Sequence, residues 1–241
     1  MIDAQDEVRR IAGRLEVLRE RIAQACRRAG RAPDDVTLVG VTKKFPVEVI
    51  TAARRAGLRD FGENRVQELI EKAAALPGMI QGGDIRWHMV GHLQRNKARD
   101  VVASADVFHA LESLRLAAEL DRRAAQADRI LPCFVQVNVS GEVSKFGLDP
   151  GDVFDMLERL AAYERLRIVG LMTLAAPVVD PEDVRPQFRR MRQIFERYNQ
   201  ADPPHPMSYL SMGMSGDYEV AIEEGATHVR LGTALFGPRP R

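Results

Sequence analysis

Strand-like apolar runs and helix-like segments take turns along almost the whole of this chain, and that alternation narrows its fold more than any other feature. Residues 36–41 form a nearly continuous apolar run, as expected of a strand buried on both faces. Residues 46–55 then read as a helix closed by Gly57. Further strands are predicted over 59–61, 85–90, 107–110, 133–139, 167–172, 208–212 and 228–231. Helices are predicted between them, over 63–76, 93–102, 113–127, 150–162, 184–199 and 217–224. Ahead of the first strand, Val8, Ile11, Leu15, Leu18 and Ile22 recur at helical spacing, and Gly30 and Pro33 end that helix. Eight strands alternating with helices predict an α/β fold, a single (β/α)8 TIM barrel, a fold that typically takes about 250 residues. We therefore expect one domain over residues 1–241, with residues 1–30 an extra N-terminal helix packed on the barrel. A doubly wound open sheet is the alternative, weakened because no G-x-G-x-x-G follows the first strand.

Composition removes several function classes. With 35 basic and 34 acidic residues the net charge is +1, which argues against bulk electrostatic binding to nucleic acid or membrane. The segment 87–97 is basic with one aromatic, yet reads better as a solvated face than as an RNA contact. Cys26 and Cys133 sit in apolar patterns and read as small core residues. Residues 1–6 lack an apolar signal core, and no apolar run reaches about 18 residues. The expectation is a cytoplasmic protein without a membrane partner.

In such a barrel, ligand groups belong at the C-terminal ends of the strands. There the chain places Lys43 and Lys44, then Asn64, Gly91 with His92, Asn138 and Met172. After the seventh and eighth strands come Ser211, Gly213 and Ser215, then Arg230, Gly232 and Thr233. The loops after those two strands commonly form a phosphate site. A glycine turn bearing a hydroxyl exposes backbone N–H groups to a phosphate, and a lysine at a strand end can form a Schiff base. Together they suggest pyridoxal 5'-phosphate. His88 and His92 straddle Gly91 and make a poor metal pair. Residues 213–216 do not form a hydrolase nucleophile elbow.

Ordered blocks then carry a resemblance. They are Val41-Thr42-Lys43-Lys44-Phe45-Pro46, residues 61–68 and residues 87–97. Gln136-Val137-Asn138-Val139, Ser144-Lys145-Phe146-Gly147, Gly170-Leu171-Met172, residues 210–217 and residues 229–237 continue them. In these the chain resembles the YggS/PROSC family, the pyridoxal phosphate homeostasis proteins, whose fold is similar to the N-terminal barrel of alanine racemase. Alternation alone does not choose between Lys43 and Lys44, because both faces of the first strand are apolar. The family pattern sets the Schiff-base lysine three residues before the proline, which implies Lys43, with Lys44 an accessory residue. The resemblance further implies a phosphate on Ser215, Gly232 and Thr233, with Arg230 facing the pyridine nitrogen. Asn64, Met172 and Ser211 are expected to line the ring pocket. Lys145 is either a second contact or, as we prefer, a solvated charge.

The resemblance implies intracellular handling of the cofactor, by buffering or delivery to pyridoxal-phosphate-dependent apoenzymes, without established turnover. The alternative is an amino-acid racemase or related enzyme, which needs an acid–base group on each face of the bound cofactor. In alanine racemase the second group is a tyrosine from a further domain, and no tyrosine of this chain is an obvious replacement. A cofactor-free aldolase would leave Arg230 unexplained. A monomer with an open, readily exchanging pocket is expected.

Overall fold

The computed structural model describes residues 4–79, 82–142, 146–176, 178–203 and 205–238. Each apolar run of the sequence becomes a parallel strand: β1 (Thr37–Val41), β2 (Asp60–Glu63), β3 (Arg86–Met89), β4 (Val107–Leu111), β5 (Leu131–Gln136), β6 (Leu166–Met172), β7 (Tyr209–Ser211) and β8 (His228–Leu231). They close in sequence order into a barrel, with β8 paired back on β1 from Thr37↔His228 to Gly40↔Leu231. The expected (β/α)8 barrel is the observed architecture.

Helices α1 (Ala4–Arg28), α2 (Val47–Arg55), α3 (Val66–Ala75), α4 (Ala98–Ser104), α5 (Leu114–Gln126), α6 (Val153–Leu160), α7 (Arg185–Gln200), α8 (Tyr218–Glu223) and α9 (Thr233–Phe236) complete it. The α1 stripe Ile11, Leu15, Leu18 and Ile22 is buried, as its periodicity predicts, and α1 packs on α2, α8 and α9. Burying a side chain such as Leu15 contributes roughly 1.5–3 kcal/mol. At β1 the segment before β2 and helix α9 come so close that a Cβ on Gly40 would stand 2.6 Å from Leu58 Cδ2 and 3.1 Å from Phe236 Cζ.

The differences from the sequence reading lie at the element ends. The helix predicted over 63–76 starts only at Val66, because Glu63 still belongs to β2. The one predicted over 93–102 opens as a 3-10 turn, Arg95–Lys97. The fifth strand begins earlier, at Leu131, and stops at Gln136, where Val137 forms an isolated bridge to Leu148. Thr233–Phe236, read as loop, is a short helix. Among the described residues no helix is long and apolar enough to cross a membrane.

Candidate functional site

A cavity of about 510 Å³ opens at the C-terminal end of the barrel. Every loop that follows β1, β2, β3, β5, β6, β7 or β8 contributes to its wall, through Lys43, Asn64, His92, Phe146, Leu174, Ser215 and Thr233 among others. This is where a parallel barrel gathers ligand groups, because the strand ends and following loops converge there.

The chain leaves β1 through a tight turn, closed by the Phe45 N–H donating to the Thr42 carbonyl at 2.9 Å. Within it Lys44 takes a left-handed φ of 66° and is exposed, whereas Lys43 is half-buried and lines the cavity. The turn distinguishes two lysines that strand alternation does not. It is held from below by a buried charge cluster. Lys72 Nζ donates to the Thr42 carbonyl at 2.9 Å, to Glu63 Oε1 at 2.7 Å and to Glu68 Oε2 at 3.1 Å. The Lys44 N–H donates to Glu68 Oε2 at 2.7 Å, and the Thr42 hydroxyl to Glu63 Oε1. Glu68 and Lys72 meet because they lie one helical turn apart on α3. Burial pushes the Glu63 carboxyl up against the pull of Lys72 and Thr42. Burial also opposes the Glu68 charge, but the Lys44 N–H and Lys72 outweigh it and hold that carboxyl low.

Across the barrel seam, the buried Arg230 of β8 donates from Nη1 to Ser211 Oγ at 2.5 Å and from Nη2 to the Thr173 carbonyl at 2.7 Å. Burial lowers its pKa to about 10, partly offset by Asp217, so the guanidinium keeps its charge at neutral pH. Ser215 Oγ accepts the backbone N–H groups of Gly232 at 3.3 Å and Ala234 at 3.2 Å. Those two amides are thus aimed at one oxygen at the cavity edge. The Ser215 loop is fixed by Gly213, whose φ is 94° and whose Cβ, if present, would meet Ala221 Cβ at 2.7 Å.

Asn64 is held by a similar close approach: a Cβ on Gly91 would lie 2.2 Å from the Asn64 carbonyl oxygen. At the mouth, His92 stacks on Phe146 with centroids 4.0 Å apart and pairs through Nδ1 with Glu112 Oε1 at 2.8 Å. Gln136 ties the same loop down by donating to the Phe146 carbonyl at 2.9 Å.

Of the eight residues expected from sequence, Lys43, Asn64, Ser215, Arg230, Gly232 and Thr233 line this one cavity. Met172 and Ser211 do not. Both are fully buried, and Ser211 sits beneath Arg230 as its hydrogen-bond acceptor. Lys145 lies outside the described residues. Sequence reasoning missed Thr173, Gln136, Phe146 and the pairing of His92 with Glu112. It also missed His109 and weighed His88 only as a metal ligand; both are fully buried inside the barrel. Their signal was present as lone polar residues in otherwise apolar strands.

The chain is similar to several known proteins. The family profile described as alanine racemase, N-terminal domain, matches residues 14–240. The pyridoxal phosphate homeostasis protein of Aquifex aeolicus is 41% identical over 230 residues, covering 94% of this chain and 97% of that protein. The structure of PipY from Synechococcus elongatus PCC7942 with PLP bound superposes with a TM-score of 0.81 at 37% identity, over 94% of this chain and all of PipY. Alanine racemase of Clostridium difficile 630 shares the fold, with a TM-score of 0.71 at 18% identity over 98% of this chain and 60% of the racemase.

Proposed function

The chain belongs to the alanine racemase N-terminal domain family, grouping there with the pyridoxal phosphate homeostasis proteins, and from that premise we propose that it binds pyridoxal 5'-phosphate and serves its homeostasis. One observation carries the reading. An amine on Lys43, a buried cation on Arg230 and neutral donors at Ser215, Gly232 and Thr233 meet in a single cavity. That donor set suits a ligand with an aldehyde, a ring nitrogen and a phosphate.

Bound pyridoxal phosphate supplies an aldehyde that amines capture and a ring that withdraws electrons. The amine of Lys43 would hold it, as a Schiff base. Ser215 and Thr233 hydroxyls, with the backbone N–H groups of Gly232 and Ala234, take the phosphate. Arg230 would face the ring nitrogen, where its charge would disfavour a proton. A ring without that proton is the weaker electron sink, which suits retention of the cofactor over turnover. Asn64 borders the ring. Met172 and Ser211 are fully buried and do not line the cavity.

The role is buffering or delivery of the cofactor to apoenzymes, carried out by one cytoplasmic, monomeric barrel domain. A racemase needs a second acid–base group, and among the described residues no tyrosine lines the cavity. The test is the absorption spectrum of protein mixed with pyridoxal phosphate, before and after borohydride. A visible band, trapped by reduction and lost in Lys43→Ala, is expected. A wild-type protein without a band would remove the reading. Loss of the α-deuteron from labelled alanine at enzymatic rates would favour the racemase.

A further inference from the structure

The interior of an eight-stranded parallel barrel is ordinarily filled by bulky apolar side chains. Here a line of polar groups crosses it. The line starts at Asp60, the first residue of β2, whose side chain is 17% exposed at the N-terminal end of the barrel. Asp60 Oδ1 lies 3.0 Å from His88 Nε2, and His88 Nδ1 lies 2.8 Å from His109 Nε2. His109 Nδ1 lies 2.9 Å from Ser211 Oγ, which accepts from Arg230 Nη1. All but Asp60 are buried. Groups from β2, β3, β4, β7 and β8 therefore form one connected run from the far end of the barrel to the cavity floor.

The two ends dictate the direction of every link. A guanidinium only donates and a carboxylate only accepts. His88 must give its Nε2–H to Asp60, so its Nδ1 is an acceptor. His109 must then donate from Nε2–H, which leaves its Nδ1 to accept. Ser211 supplies that proton from its hydroxyl and accepts from Arg230. No other arrangement satisfies all the links without adding a proton. Burial agrees, since it pushes the His109 imidazolium well out of reach at neutral pH. Burial opposes the Asp60 charge too, but the His88 hydrogen bond and Arg86, 3.1 Å away, hold that carboxyl low. Such a run costs desolvation and survives only when fully satisfied.

We propose that Asp60, His88, His109 and Ser211 are positioning residues, a hydrogen-bond relay of single polarity that fixes the rotation of the Arg230 guanidinium and carries a change at Asp60 to the cavity. What Arg230 faces there rests on the cofactor reading above. The Thr173 carbonyl fixes the other Nη, so the cavity meets only the remaining N–H donors.

The experiment uses full-length protein with 15N-labelled histidine and no cofactor, where two-bond proton–nitrogen correlations give the tautomer of each ring. His88→Gln and His109→Gln assign the signals. Both rings are expected as neutral Nε2–H forms. An Nδ1–H on either ring, or a doubly protonated His88, overturns the relay. In Asp60→Asn, with thermal melting as a fold check, His88 should lose its single tautomer. Added pyridoxal phosphate should then bind about 2- to 30-fold more weakly with a shifted band, the range of coupling through a packed network. Ser211→Ala cuts the run beside Arg230 and should do the same to affinity and band. Wild-type affinity and band in both variants overturn the coupling. If wild-type protein takes up no pyridoxal phosphate, the coupling falls with the cofactor reading, and the tautomers, read without cofactor, still decide the polarity.

Discussion

Replacing Lys72 by methionine should destabilise the barrel by several kcal/mol, and by an amount that grows with pH. The Lys72 ammonium is 6% exposed and serves three acceptors, Glu63 Oε1, Glu68 Oε2 and the Thr42 carbonyl. Glu63 Oε2 already has no partner. Removing the amine leaves an uncompensated buried carboxylate, for which a loss of about 3–5 kcal/mol is typical. Methionine keeps most of the stem volume, so the loss reports charge rather than packing. Glu63, whose carboxyl is already pushed up by burial, should then hold its proton to higher pH. In that window the variant's native state binds more protons than the wild type's, so its stability falls relative to wild type as pH rises. Below the wild-type Glu63 folded-state pKa the difference levels off at what the lost Glu68 and Thr42 contacts contribute. Urea denaturation across pH reads this directly, as a midpoint shift of about 1–2 M at neutral pH for a slope of roughly 2–3 kcal/mol per M. Glu63→Gln in the same chain should recover much of the loss. A variant less than about 1 kcal/mol below wild type at neutral pH, or a loss flat with pH, would refute the reasoning.

Gly91→Ala should destabilise the protein by about 1–3 kcal/mol, because the new methyl meets the Asn64 backbone and the loops after β2 and β3 must separate. Thermal melting gives the loss, and weakened cofactor uptake should accompany it. Cys26 and Cys133 are buried, and burial raises both thiol pKa values. Native protein should therefore take up no iodoacetamide at pH 8, while unfolded protein takes up two equivalents; mass spectrometry decides.

The barrel was legible because eight buried strands leave eight apolar runs, and helices of matching length leave their own period between them. The ends were not. Strand β5 starts at Leu131 because its pairing with β6 begins at Leu131↔Leu166, a long-range fact no local pattern contains. Six expected site residues share the cavity because strand ends and glycine turns are visible in sequence. The buried position of Ser211 was not legible in the sequence. Sequence places it at the end of β7, but only the three-dimensional arrangement shows the Arg230 guanidinium lying over it. Strand alternation left Lys43 and Lys44 open and only the family resemblance chose Lys43, because the turn that breaks the alternation, with a left-handed φ at Lys44, is not visible in the residue pattern.

The seam between β1 and β8 has a consequence for the life of the chain before it is folded. Lys43 follows one of these strands and Arg230 lies in the other, so nearly the whole polypeptide separates them in sequence. The closed barrel brings the two to one cavity through the β1–β8 pairing, and α1 packs its apolar stripe across the same joint on α2, α8 and α9. Capture of a ligand by both residues is thus a report of a closed barrel, and such a ligand will hold that joint shut.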